Sequence, residues 1–292
     1  MRYYIHVSNH GFEPNQVLGV WEIGDTMAKR IDVTDSDHNR FPAMLGRTAL
    51  ETLRFSNPGT TFDELELEPG EYYPGMARPI LGESQGRNPD HSVEALGHRA
   101  SASGQLHALI QQLEQICRVV HPRGETNFKA YGHEIRNVLI LACTELESQW
   151  KAILGAHNAR AENTTHYVKL CAAMKLTEYA VEFPYYPWMP ERRPFAGWQH
   201  GTKDLPWYGA YNDVKHNRDS NFPQASLDNA FEALTAFFIM LCAQYGWDFA
   251  LTGDAAARAF FRLKASPQWS PSEYYVPAYG GMLRERIYSF PP

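Results

Sequence analysis

The feature that most constrains the fold is an apolar helical segment that runs from about Ser226 to Tyr245. Its apolar residues recur every three or four positions, which is the spacing that places side chains on one face of an α-helix. These residues are Ala230, Phe231, Leu234, Phe237, Phe238 and Leu241. Because such a face must be covered by other apolar elements, the segment predicts a long helix that is buried on this side.

Three earlier segments have the same helical spacing. The first covers residues 101–121, the second 131–154, and the third follows the N-cap residue Asn163 and extends to about residue 181. Prolines then recur through residues 183–206 and predict an aromatic loop without regular structure. Four helices with apolar stripes favour an antiparallel bundle.

The first third of the chain differs, because it is rich in Gly, Pro, Asn and Asp. Residues 3–7 and 17–23 are typical of short strands, and residues 42–54 of a brief helix. The polar stretch 82–98 predicts a linker or a mobile loop. This third is therefore expected to be a small addition to the helical part.

The predicted fold class is mainly α. An antiparallel helical bundle is expected over residues 101–250, together with a small mixed α/β or irregular region at residues 1–100. A tail rich in proline and aromatic residues, 251–292, is expected to pack on the bundle.

Charge and cysteine content limit the classes of function. The chain has 27 Lys and Arg against 33 Asp and Glu, so it is not a general nucleic-acid coat, although a local basic patch could bind RNA. No apolar run reaches the ~20 residues of a membrane-spanning helix. Four separated cysteines in apolar helical contexts predict buried free thiols and a cytoplasmic location; they are Cys117, Cys143, Cys171 and Cys242.

The densest group of polar and aromatic side chains lies at residues 205–218. In a helix, Asn212 and His216 share one face, and Lys215 and Arg218 lie side by side. An imidazole flanked by cations suits acid–base chemistry on a phosphodiester, without a metal or a cofactor. His216 would move the proton, the two cations would bind phosphate, and Asn212 would orient the substrate.

The alternative is structural. Asn212 and His216 could instead donate hydrogen bonds to carbonyls of the proline-rich loop and hold that loop on the bundle. Glu145, among apolar residues of the second helix, also has two interpretations. If it is buried it needs a partner, for which Lys215, His216 or Arg218 is the obvious choice; otherwise it is a solvated surface residue.

The acidic stretch 32–38 has neither the Gly turn nor the terminal Glu of a calcium-binding loop, and we expect a solvated loop there. The histidines outside the two polar clusters lack paired ligand spacing, so no metal site is predicted.

Two parts of this pattern resemble the core of bacterial HEPN-like proteins. One is residues 134–148, with Glu-Ile-Arg-Asn-Val-Leu and Ala-Cys-Thr-Glu-Leu-Glu-Ser, and the other is residues 206–218, with Tyr-Asn-Asp-Val-Lys-His-Asn-Arg. The resemblance covers roughly residues 101–280. It implies a helical domain that forms a homodimer and, in many members, cleaves RNA without a metal in toxin–antitoxin or phage-defence systems.

The active motif of HEPN domains is an arginine, four to six further residues and then a histidine. His216 matches the histidine, whereas the positions for the arginine hold Gly209, Ala210 and Tyr211. The resemblance therefore implies either that the cationic role has moved or that nuclease chemistry has been lost. The candidates for the moved role are Lys215, Arg218 and Arg136.

Two functions follow. One is an RNA-cleaving or nucleotide-handling enzyme in which His216, Lys215, Arg218 and Asn212 form the site, supported by Glu145, Arg136 and Tyr211. The other is a noncatalytic binding or assembly module in which the Asn212–His216 segment is structural.

Overall fold

The fold was obtained as a computed structural model that describes residues 1–9, 16–33, 39–83, 86–201, 204–246 and 255–291. Helices make up 45% of the chain and strands 18%, and the largest sheet has five antiparallel strands. The prediction of a mainly α-helical bundle is therefore wrong, since the fold is mixed α/β. The short apolar segments of the first third pair into one sheet with its own core.

The chain forms two compact units. Unit 1 consists of Met1–Tyr72, Arg78–Ser84 and Trp269–Arg286, and unit 2 consists of Tyr73–Ala77, Gln85–Gln268 and Ile287–Pro292. By sequence, unit 1 carries nine Lys and Arg against fifteen Asp and Glu. Its net charge of −6 equals that of the whole chain, so unit 2 is balanced in charge.

Unit 1 is built on the five-stranded sheet, whose order is β4-β3-β2-β1-β5. The strands are β1 (Arg2–Ser8), β2 (Gln16–Ile23), β3 (Met27–Arg30), β4 (Arg40–Pro42) and β5 (Thr60–Glu64). The strands predicted at residues 3–7 and 17–23 are confirmed as β1 and β2. One face packs on helix α1 (Ala49–Ser56), which begins after Thr48 because that side chain and Glu51 cap each other.

The opposite face of the sheet is partly covered by later segments of unit 1. Ile5, Val7 and Val20 pack there with Leu65 and Val276. Three short strands belong to these segments: β6 (Glu71–Tyr72), β7 (Arg78–Pro79) and β11 (Arg284–Glu285), of which β11 runs parallel to β6.

Unit 2 is helical around one central element. Its elements are β8 (Gly86–Arg87), α2 (Val93–Cys117), α3 (Glu125–Phe128), α4 (His133–Ala156), α5 (Thr164–Tyr167), α6 (Lys169–Ala173), β9 (Ala180–Glu182), α7 (Pro206–His216), α8 (Arg218–Asn221), α9 (Leu227–Tyr245), α10 (Ala255–Phe260) and β10 (Arg262–Ala265). The predicted helix after Ser226 is confirmed as α9, which packs against α2, α4 and α7.

Two predicted boundaries in unit 2 are wrong. Helix α2 begins at Val93 because the Ser92 side chain caps it, so part of the expected linker is helical. The third predicted helix is capped by Asn163 as expected, but it breaks into α5 and α6. Lys175 has a φ of 50°, a left-handed conformation that ends the α-helical path, and a 3₁₀ turn at Leu176–Glu178 then leads to β9.

All four cysteines are buried free thiols, as predicted. Among the residues with described positions, no helix is both long and apolar enough to cross a membrane.

His157 joins α4 to the last residues of unit 2. Its Nε2 lies 3.0 Å from the Pro74 carbonyl oxygen, and its Nδ1 accepts a hydrogen bond of 3.1 Å from the Tyr288 backbone N–H. The rings of Tyr73, Tyr288 and Phe290 surround the imidazole. Only the neutral ring protonated at Nε2 satisfies both bonds.

We expect acid to loosen this contact. Burial lowers the pKa of His157, so the neutral ring contributes stability that is present above its unfolded pKa of ~6.5 and is lost as pH falls through the folded pKa. Protonation of Nδ1 would place its proton against the Tyr288 backbone N–H and break this hydrogen bond. Amide exchange at Tyr288, corrected for the intrinsic rate, should accelerate below pH ~6.5. Unchanged protection would contradict this role.

Candidate functional site

Helix α7 presents two different faces. Pro206 is the first residue of the helix, a position where a backbone N–H would have no partner within the helix, so the missing N–H of proline costs nothing. Its inner face is buried and consists of Trp207, Tyr208, Ala210, Tyr211 and Val214. Asn212 is half-buried, and Lys215 and His216 are exposed. Of the predicted site residues on α7, Asn212, Lys215 and His216 therefore lie outside the buried face, and Tyr211 lies within it.

Two polar pairs line the inner side of α7. The Tyr208 hydroxyl donates a 2.6 Å hydrogen bond to the Glu147 carboxylate on α4. One turn later, the Lys215 ammonium donates a 2.7 Å bond to the Tyr211 hydroxyl and lies 4.8 Å from the centre of that ring. Tyr211 also lies near Thr144 on α4, whose hydroxyl partly offsets the rise that burial causes in the pKa of Tyr211. The Tyr208–Glu147 pair therefore joins α7 to α4, whereas the Lys215–Tyr211 pair lies within α7.

Burial and hydrogen bonds determine the charge states of Tyr208, Tyr211 and Lys215. Burial and the bond to Glu147 raise the pKa of Tyr208, and burial raises the pKa of Tyr211. The hydrogen bond with Tyr211 raises the pKa of Lys215. Both phenols are therefore neutral and the ammonium is charged at neutral pH.

The carboxylate in this network is Glu147 rather than Glu145. The buried stripe of α4 contains Cys143, Leu146 and Trp150, and Glu147 follows Cys143 by four residues on the same side. Glu145 lies two residues after Cys143 and therefore projects away from the buried side of α4. It has no hydrogen-bond partner in the described part of the chain. The spacing from Cys143 was the signal that could have identified Glu147.

In the described part of the chain, no hydrogen bond from Asn212 or His216 holds the proline-rich loop. Trp207 does this instead, since its indole N–H donates a 2.9 Å bond to the Pro194 carbonyl. Within the described ranges, neither Asn212 nor His216 has a side-chain hydrogen bond or ion pair. Being four residues apart, they lie on one side of α7.

The position of Arg136 follows from the direction of the two helices. Tyr208 meets Glu147 and Tyr211 meets Thr144, so α7 and α4 run antiparallel. Arg136 lies in the first turn of α4, about 16 Å along the axis from Glu147. It is therefore at the same end of the helix pair as His216.

Arg136 also has an unused donor. Its Nε is buried and has no hydrogen-bond partner among the described residues. Residue 218 begins α8, but the side chain of Arg218 lies outside the described part of the structure.

No group of three or more His, Cys, Asp and Glu side chains is placed to hold a metal ion among the residues that the structure describes. Asp32, from the acidic stretch, forms a 2.9 Å ion pair with Arg30, and residues 34–38 of that stretch lie outside the described residues.

A double-mutant cycle tests whether the Tyr208–Glu147 pair holds the two helices together. Tyr208→Phe and Glu147→Gln should each reduce the free energy of unfolding, and the pair should show a coupling of about 1.5–3 kcal/mol, since one partner is charged and the bond is largely buried. Urea unfolding of the four proteins gives this value. Additive single effects would show that the bond does not stabilise the contact.

The chain matches no protein-family model, no curated protein and no solved structure.

Proposed function

We propose that the protein binds RNA at the C-terminal end of α7 and cleaves it without a metal, with His216 as the acid–base group. The observation that carries this proposal is the exposed His216 imidazole, which has no protein partner in the described ranges and lies one turn from the Asn212 amide. The HEPN-like resemblance supports the same assignment. Unit 2 has no net charge by sequence, so it does not repel a polyanion as unit 1 does.

The reaction needs only groups present in RNA and in this chain. His216 would take the proton of a ribose 2′-hydroxyl as that oxygen attacks the adjacent phosphorus. The bond from phosphorus to the 5′-oxygen breaks, and the imidazolium returns a proton to the leaving oxygen. The products are a 2′,3′-cyclic phosphate and a 5′-hydroxyl. Lys215 and Arg136 would stabilise the charge on the phosphate, and Asn212 would orient it.

A noncatalytic binding or assembly module is the second candidate. It is favoured by the Tyr208–Glu147 bond, which joins α7 to α4, by the bond of Lys215 to Tyr211 within α7, and by the lack of an arginine at residues 209–211. In that case the exposed Asn212 and His216 would contact a nucleotide or RNA without cleaving it.

The test is incubation of the protein with mixed RNA in EDTA, beside a His216→Ala variant whose fold is checked by circular dichroism. Cleavage by the wild type alone supports the enzyme. RNA binding without cleavage by either protein supports the binding module. A homodimer remains a prediction, as does a cytoplasmic location, with which the buried free thiols agree.

A further inference from the structure

Unit 1 contains a cavity of about 380 Å³, formed between its sheet and the segment that leads into β11. This volume is in the range of ~300–1,000 Å³ that is typical of small-molecule sites. The side chains that matter in its lining are Tyr3, Glu22, Ile31, Tyr279, Met282 and Arg284. Four of these are apolar or aromatic, one is a carboxylate and one is a guanidinium.

The sheet brings the carboxylate and one of the aromatic rings together. Tyr3 on β1 lies directly opposite Glu22 on β2, and residues opposite each other in an antiparallel pair project from the same face. Burial raises the pKa of the Tyr3 hydroxyl, and so does the Glu22 carboxylate, so the two groups lie near each other. Their neighbours Tyr4 and Trp21 project from the other face, into the core beneath α1. Tyr3 and Glu22 are therefore held in place by the strand register.

The lining carries one carboxylate, Glu22, and one guanidinium, Arg284. The Arg284 guanidinium is 3.0 Å from Glu68 and 3.7 Å from Glu71, and these ion-pair partners lie outside the cavity lining. Glu71 is also 3.5 Å from Arg286. Lys29 lies across from Glu22 on β3, and both residues line a second pocket of about 160 Å³, whereas Lys29 does not line this cavity. Unit 1 as a whole carries a net charge of −6 by sequence. This field attracts cations and repels anions.

We propose that this cavity binds a small organic cation, an alkylammonium group on a short apolar chain. Glu22 would face the charged nitrogen, the rings of Tyr3 and Tyr279 would contact the cation through their negative faces, and Ile31 and Met282 would cover the chain. Nothing in this assignment depends on the α7 site, which belongs to unit 2.

The test uses butylammonium as the probe and calorimetric or NMR titration of the full chain. Butylammonium should bind saturably, with a dissociation constant in the millimolar range. The neutral analogue 1-butanol and the anion butanoate should bind at least about tenfold more weakly. Equal binding of butylammonium and 1-butanol would overturn the proposal, because an apolar pocket alone would then explain it. Failure of butylammonium to saturate the wild type would overturn it as well.

Two substitutions test whether butylammonium binds in this cavity. Glu22→Gln keeps the shape of the side chain and should weaken butylammonium binding about tenfold or more. Tyr279→Leu, at a residue that is 44% exposed, should weaken it too without unfolding the unit. The matched control is Asp63→Asn on β5, which removes the same charge from unit 1 outside the cavity lining. Equal losses in Glu22→Gln and Asp63→Asn would overturn the site, as would full binding by Glu22→Gln.

Discussion

Replacing Arg192 with alanine is expected to lower the free energy of unfolding by about 3–5 kcal/mol, the cost of leaving a largely buried charge without its partner. The Arg192 guanidinium lies 2.6 Å from Asp228 and 2.7 Å from Glu232 on α9, and its side chain is 12% exposed. Glu232 is 19% exposed, and its second carboxylate oxygen has no hydrogen-bond partner among the described residues. Without Arg192, that carboxylate would stay in an apolar setting.

The neighbouring arginine gives the matched control. Arg193 pairs with Glu191, and both side chains are more than 40% exposed, so Arg193→Ala should cost no more than about 1 kcal/mol. The double variant Arg192→Met, Glu232→Met removes both buried charges and should recover much of the lost stability. Urea unfolding measures all three proteins. Equal losses in Arg192→Ala and Arg193→Ala would contradict a special role for the buried pair.

Replacing His216 with alanine is expected to reduce the RNA cleavage rate by about 10²–10⁴-fold, which is the usual contribution of a general acid–base group. The same change should leave the free energy of unfolding within ~0.5 kcal/mol, because the side chain is exposed and has no partner in the described ranges. Cleavage rates and urea unfolding of the same preparations separate the two effects.

Two further variants are the controls for this result. His98→Ala changes an exposed histidine on α2 and should leave cleavage unchanged. Tyr208→Phe weakens the contact of α7 with α4 and should act mainly on stability. If His216→Ala lowered the free energy of unfolding as much as Tyr208→Phe, the residue would have a structural role instead.

Elements with a strong local pattern could be predicted from the sequence. Helix α9 has a continuous apolar spacing and a capping serine at residue 226, and its side chains are buried as expected. Strands β1 and β2 are short apolar runs bounded by turn residues. In each case the signal lies within the element itself, so a single sequence contains it.

Features that depend on distant residues could not be predicted. The five-stranded sheet requires β1 to pair with both β2 and β5, and β5 begins more than fifty residues later, so no local spacing reveals it. The break after α6 depends on the left-handed backbone at Lys175, where the residue type gives no warning. Such long-range contacts made the mainly α prediction wrong.

The candidate site was predicted in part. The helical placement of Asn212 and His216 on α7 follows from their spacing, and the structure leaves both side chains without a protein partner in the described ranges. Identifying the carboxylate that bonds to α7 depended on which face of α4 is buried. This face includes Glu147 and excludes Glu145. Lys215 turned out to contact Tyr211 on its own helix.

The most direct test of the proposed function is to identify the products that wild type and His216→Ala form from an RNA oligonucleotide in EDTA, beside the same sequence made of DNA. We predict 2′,3′-cyclic phosphate and 5′-hydroxyl ends from RNA with the wild type alone, and no cleavage of the DNA. Cleavage by neither protein would contradict the enzyme and leave the binding module. Equal cleavage of RNA by both proteins would contradict the assignment of His216.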